Sequence, residues 1–215
     1  MKGFRYDGPI MSFLSRMADL LFLNILVLVF SLPIFTIGAT ITAAHYTALK
    51  LCRLEGNVWN CFWKSFKINL KQSTLIWLIF LMQFIFSVLA YVIAGQMRGE
   101  ITIIIRGVII IAVVISVFLG VWVMPLQARF VNPIIVTFKN SFYIAFQYFF
   151  RTLLMIVFYI MPIVTLLLGF EFTGMGSLSV WLLYGIAVPT YWCAMTYNKV
   201  FKKMEETIKN GKMIV

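Results

Sequence analysis

The sequence predicts an all-α fold, a polytopic membrane helix bundle of about five transmembrane helices with two cytoplasmic amphipathic elbow helices. Three observations predict it. Of 215 residues, 62% are hydrophobic and 12% charged, whereas a soluble domain carries roughly 25% charged residues. The apolar residues gather into five runs, each close to the roughly 20 residues that cross a bilayer as helix. Thirteen of the 18 Lys and Arg fall in alternate connections between those runs and in the C-terminal tail, the asymmetry that orients a membrane protein. The chain reads as one integral membrane domain over residues 1–215, long enough for one bundle and too short for a sizeable soluble domain besides.

The leader mixes Lys2, Arg5 and Arg16 with Asp7 and Asp19, and Gly8-Pro9 marks a turn. Two acids and a late-starting apolar run argue against a cleaved signal peptide. The first span, about residues 20–44, is therefore expected to stay. In its middle stands Ser31-Leu-Pro-Ile-Phe-Thr-Ile-Gly-Ala-Thr40. Pro33 cannot donate a helical hydrogen bond and leaves a carbonyl open one turn earlier, near Val29. Thr36 and Thr40 lie four apart, so they share a face. Gly38 offers a surface for close approach of another helix. Irregular backbone at membrane depth is tolerated only where protein or a watery cavity covers it. The stretch reads as a kink within one span; a re-entrant segment broken at Pro33 is the rival.

Further spans are expected at about 74–94, 107–126, 152–170 and 178–197. Short turns, Gly95–Thr102 and Glu171–Ser177, make antiparallel hairpins of the second and third and of the fourth and fifth. Before the second span, Trp59, Phe62, Trp63, Phe66 and Leu70 share one helical face and Lys64, Lys67 and Lys71 another. Phe138, Phe142, Phe146 and Phe149, with Lys139, repeat the pattern before the fourth. Aromatic below and lysine above is the interfacial pattern. Each elbow helix is read as a feed into the next span, with docking of a partner as the other use of its aromatic face. Lys64-Ser-Phe-Lys-Ile-Asn and Asn140-Ser-Phe-Tyr-Ile-Ala hint at an internal repeat.

The long connections and the C-terminus hold the thirteen basic residues and face the cytoplasm. Five spans then put the N-terminus outside. A net charge of +11 would point to nucleic acid in a soluble protein. Here the cations flank apolar runs, so topology and anionic lipid headgroups account for them, and no nucleic-acid partner is expected.

The chemical inventory argues against an enzyme. His45 is the single histidine; the seven acids include no pair placed for acid–base work. One histidine cannot build a metal site without a cysteine or carboxylate cluster. No phosphate-cradling glycine loop is present. No catalytic residue, cofactor or metal is assigned. The three cysteines, Cys52, Cys61 and Cys193, are odd in number and read as free thiols. What remains is polar residues inside spans. Asn24, Thr36, Thr40, Thr42 and Gln83 serve either as glue between helices or as the lining of a solute path.

Ala18-Asp-Leu-Leu-Phe-Leu-Asn24, Ser31-Leu-Pro-Ile-Phe-Thr-Ile-Gly38-Ala and Phe62-Trp-Lys-Ser-Phe-Lys-Ile-Asn-Leu-Lys-Gln72 resemble the YesL-like family of small bacterial membrane proteins. Met124-Pro125-Leu-Gln-Ala-Arg-Phe130 and Lys139-Asn-Ser-Phe extend the likeness. The resemblance implies a multi-pass protein of a Gram-positive plasma membrane. It also implies an association with carbohydrate-uptake ABC transporters, whose genes often neighbour the family's. The expected function is a non-catalytic accessory component of such a system, in contact with lipid and with the transporter's membrane subunits. The alternative is a small self-sufficient channel or carrier for a polar solute. The sequence assigns no oligomeric state.

Overall fold

Between Val58 and Ala94 there is neither proline nor glycine, so nothing interrupts the helical hydrogen-bond ladder. In the computed structural model, which describes residues 9–96, 99–130, 132–173, 179, 181–182 and 184–209, this stretch is one helix. The described helices are α1 (Pro9–Phe30), α2 (Ile37–Leu51), α3 (Val58–Gln96), α4 (Ile101–Arg129), α5 (Ile134–Gln147), α6 (Phe149–Thr173) and α7 (Ala187–Lys209), with a 3-10 turn at Ile34–Thr36. The bundle is all-α, and α1, α3, α4 and α6 are long and apolar enough to cross a membrane. The leader before Pro9 and most of the Glu171–Ser177 turn lie outside the described residues.

The first expected span is two helices. Ser31–Thr36 ends α1, and the chain doubles back. Leu20 and Arg16 of α1 line the same small pocket as Leu51, Leu54 and Gly56 beyond the far end of α2. At the opposite end, the Phe30 carbonyl meets the Thr40 hydroxyl. The α1–α2 pair is thus an antiparallel hairpin, and the single kinked span over 20–44 is corrected. Pro33 stands in extended conformation (φ −76°, ψ 120°), so the chain leaves the helix rather than bending within it. The correction carries to topology. The hairpin returns the start of α1 to the end where α4 stops and the α7 tail begins, since Arg16 lines one cleft with Arg129, Lys199 and Lys202. The start of α1 thus lies toward the end of α4, whereas five spans would put the two on opposite sides; residues 1–8 lie outside the described residues.

α2 is the hub. Ten of its 15 residues are buried, every position from Gly38 to Leu49 except Ile41 and Tyr46. Glycine, alanine and threonine dominate there, and small residues let neighbouring backbones approach on all sides. α1, α3, α4 and α7 all pack on it. One side of the core joins Leu20, Leu23 and Val27 to Ala39, Ala43 and Phe62. The other joins Ala48 and Leu49 to Trp122, Ile144, Met155, Tyr197 and Phe201. His45 is buried among them, its ring edge-on to Tyr197.

At ~1.5 Å per residue the 39 residues of α3 extend about 58 Å, nearly twice the ~30 Å hydrocarbon thickness. The first elbow helix and second span are therefore continuous. The first half of α3 lies antiparallel to α2, with Trp77 at Ile34, Ser73 at Thr42 and Phe62 in one cluster with Ala44; the second half pairs with α4. The second elbow is separate. α5 ends at Gln147, and Tyr148 (φ −112°, ψ 42°) breaks the ladder before α6. The two members of the hinted repeat thus differ in form. Phe158 of α6 meets Trp192 of α7 edge-on at 5.3 Å, Met155 shares a core cluster with Tyr197, and Thr165 and Leu166 line one pocket with Gly185 and Val188, so α6 and α7 run antiparallel. The expected fifth span, 178–197, falls partly outside the described residues, and its helix runs on to Lys209 with a lysine-rich second half.

Candidate functional site

The break between α1 and α2 is closed by hydroxyls. Thr36 Oγ1 lies 2.7 Å and Thr40 Oγ1 2.9 Å from the Phe30 carbonyl oxygen. That carbonyl has lost its partner four residues on, because residue 34 has left the helix. The sequence places the orphan near Val29; the structure places it one residue later. Both threonines are buried and turned to the same point. Pro33 is exposed beside Leu32, Ile34 and Phe35, so the turn presents apolar side chains outward.

Gly38 marks the tightest approach. A Cβ built on it would fall 2.3 Å from the Ser73 carbonyl oxygen and 2.5 Å from Trp77 Cβ. Two hydrogen bonds flank this crossing of α2 and α3. Thr42 Oγ1 and Ser73 Oγ lie 2.9 Å apart, and Trp77 Nε1 donates to the Ile34 carbonyl at 3.0 Å. Asn24 is fully buried and joins α1 to α7. Its Oδ1 accepts from the Ile186 and Ala187 backbone N–H groups, both at 3.0 Å, and its Nδ2 donates to the Leu182 carbonyl at 2.7 Å. A helix start leaves such N–H groups open, and Asn24 closes two from another helix. Gln83 donates to Ser116 of α4, whose hydroxyl donates back to Ala112. Asn24, the Thr36–Thr40 pair and the Gln83 amide nitrogen therefore engage partners inside the bundle, at three separate places. The structure does not bring them together along one path.

The two aromatic faces part company. Phe62 and Phe66 are buried. Phe30 covers them, with ring centroids 5.5 and 5.1 Å away, and meets Trp63 at 5.6 Å. The fold-back of α1 puts it there, so the reading of Phe62 and Phe66 as an open interfacial or partner face is corrected. Trp63 is half-buried, with Lys67 Nζ 4.7 Å above its ring. On α5 the buried face is Thr137, Ser141, Ile144 and Ala145. Phe142 and Phe146 point outward, and half-buried Phe138 rests on Phe80 at 5.7 Å.

Two further polar nodes were not singled out in the sequence. Gln127 of α4 donates to Gln72 of α3 at 2.9 Å and lies 3.3 Å from the Thr137 hydroxyl of α5. Trp122 Nε1 donates to Thr152 Oγ1 at 2.9 Å, and that hydroxyl reaches the Ala145 carbonyl at 3.1 Å across the α5–α6 break. Their only signal is position: polar residues at the edge of an apolar run.

At the common end of α1, α4 and α7 lies an open cleft of about 680 Å³. Arg16, Arg53, Arg129, Lys199 and Lys202 line it with Tyr191, Met195 and Asn198, and Glu205 is the one acid in the lining. Arg129 makes a forked pair with Glu205 at 2.8 and 3.0 Å. Arg53 Nε donates to Asn198 at 3.0 Å, and Asn198 donates in turn to the Leu49 carbonyl. Cys52 lines the same cleft, and burial pushes its thiol up to about 11. The nearby Glu55 carboxyl is held below its ordinary value by the hydrogen bond from Lys50.

The helices whose geometry carries the break, the hub and the α2–α3 crossing are α1 to α3. Residues 20–91 match the family model described as a protein of unknown function, DUF624. The match covers about a third of the chain and takes in the Pro33 turn, Gly38 and the aromatic face of α3. No curated protein and no solved structure matches the chain.

Proposed function

We propose that the protein is a non-catalytic accessory component of a bacterial plasma membrane, YesL-like, that assembles with the membrane subunits of an ABC-type carbohydrate uptake system. One observation carries the assembly part of this reading. In the most apolar stretches of α3 and α4 only 6% of residues are buried within the chain, and in α6 11%, against 28% in α1. The α1–α2 hub satisfies itself, whereas the α3–α4 hairpin stands almost uncovered on both helices. Lipid alone can cover it; a helical partner packs on it equally well, since helix association in membranes rests on packing and not on apolarity. The closure of Asn24, Thr36, Thr40 and Gln83 on partners inside the bundle favours assembly over a solute path. The carbohydrate and transporter terms rest on the resemblance in Ser31–Ala39 and Phe62–Gln72.

For orientation, the end that holds Arg16, Arg53, Arg129, Lys199 and Lys202 is the cytoplasmic one in this reading, with the start of α1 and the α7 tail both there. Purification of the tagged protein from native membranes in mild detergent tests the assembly. Recovery of a sugar-transporter permease at stable stoichiometry is the expected result. Solute flux through liposomes holding this chain alone would instead favour the channel or carrier.

A further inference from the structure

The basic cleft brings together four elements far apart in sequence. Arg16 comes from α1, Arg53 from the turn after α2, Arg129 from the last residue of α4, and Lys199 and Lys202 from α7. Five cations converge on one concavity whose lining holds one acid, Glu205, which Arg129 engages; Glu55 beside the cleft adds a second negative charge near Arg53 and Arg129. Like charges so gathered repel, and the arrangement persists most easily with an anion between them. Two of the five are held in place, Arg53 by Asn198 and Arg129 by Glu205, so part of the site is pre-arranged. Guanidinium forks match the oxygens of a phosphate group, and lysines add point charge.

The setting narrows the source of that phosphate. Arg16 stands one turn before Leu20, where the uninterrupted apolar run of α1 begins, Arg129 ends the apolar helix α4, and Lys199 follows the apolar half of α7. Three apolar segments thus end at one cleft, which places it at the boundary between hydrocarbon and water, where lipid headgroups lie. Tyr191 and Met195 supply an apolar wall. Basic pockets between helices on the cytoplasmic side of a membrane are suited to anionic headgroups.

We propose that this cleft is a phosphate-binding site, filled by the headgroup of an anionic membrane lipid. The site is independent of the partner assigned above. The test uses the full chain in nanodiscs of phosphatidylcholine, with phosphatidylglycerol titrated in and retained lipid counted by native mass spectrometry. Wild-type protein should retain phosphatidylglycerol over phosphatidylcholine, with retention falling as salt rises. Arg16→Gln/Lys199→Gln/Lys202→Gln should weaken retention roughly a hundredfold, and Lys64→Gln/Lys67→Gln/Lys71→Gln, an equal loss of charge from the exposed side of α3, should leave it unchanged. Lys202→Glu, a single exposed change, should act in the same direction and keeps the test open if the triple variant fails to fold. Inorganic phosphate supplies the other arm. Displacement of the lipid by millimolar phosphate, lost in the cleft variants, would keep the phosphate site and assign it a soluble occupant. No preference for phosphatidylglycerol together with no binding of phosphate, or equal losses in the cleft and α3 variants, would overturn the proposal.

Discussion

Replacing Gly38 with alanine adds one methyl group, and the structure gives that methyl no room. Its Cβ would lie 2.3 Å from the Ser73 carbonyl oxygen and 2.5 Å from Trp77 Cβ. Neither is the free end of a side chain, so the helices themselves must part by about 1 Å to restore ordinary contact. Forced overpacking of this kind costs ~1–3 kcal/mol. The separation also pulls on the Thr42–Ser73 bond (2.9 Å) and the Trp77–Ile34 bond (3.0 Å), each worth ~0.5–1.5 kcal/mol net. The combined loss is about 2–6 kcal/mol. Unfolding by SDS in mixed micelles, followed by tryptophan fluorescence, measures it. Gly38→Leu should go further and prevent folding. Ser73→Ala should not rescue Gly38→Ala, because the nearest clash is with backbone. A Gly38→Ala protein within about 0.5 kcal/mol of wild type, the range of ordinary surface changes, would refute the close-packed crossing.

Thr36→Val or Thr40→Val alone should cost little, since the other hydroxyl still serves the Phe30 carbonyl; together they should cost ~1–3 kcal/mol, more than the sum of the singles, by the same SDS titration. Asn24→Leu opens two N–H groups at the start of α7, and hydrogen exchange at Ile186 and Ala187 should accelerate while that at α3 does not. Phe62→Ser should cost at least the ~3–5 kcal/mol of a buried Phe truncation, whereas Phe146→Ser, on an exposed position, should leave stability in detergent nearly unchanged. Cys52 should react slowly with maleimide near pH 7 and speed up only as pH approaches 11. Because its folded pKa is raised, the neutral thiol's contribution to stability is present at neutral pH and is lost as pH climbs through the range between the unfolded and folded values.

The fold class was legible because composition and run length leave a membrane bundle little competition. The α3–α4 hairpin was legible for the same reason, with a Gly-containing turn between two long apolar runs. The course of the first segment was not. Pro33 signals a break, but a break can bend a helix or end it, and the decision lies in tertiary contacts. α2 has hydroxyls that cover the Phe30 carbonyl and small residues that accept α1, α3, α4 and α7 together. Once α1 folds back, Phe30 covers Phe62 and Phe66, so an aromatic stripe that looks interfacial by periodicity becomes core. The α5 stripe kept Phe142 and Phe146 outward because Thr137, Ser141 and Ala145 turn small faces to α4. Pairwise closures such as Asn24 with α7 and Gln127 with Gln72 link positions more than 50 residues apart, and no local pattern announces them. The basic cleft escaped notice for a related reason: its cations look like ordinary flanking charges until four elements bring them to one place.

The α1–α2 hairpin decides the hub, the covering of Phe62 and the common end where the cleft lies, so its direct test is a distance. Spin labels at Arg16→Cys and Leu54→Cys, in a chain with Cys52, Cys61 and Cys193 replaced by serine, report it by double electron–electron resonance. Arg16 and Leu54 line one pocket, so the hairpin predicts a short separation, less than half that of a helix running straight on. A single kinked span, with the labels 38 positions apart at ~1.5 Å each, predicts about 50 Å or more, and a distribution centred there would contradict the account.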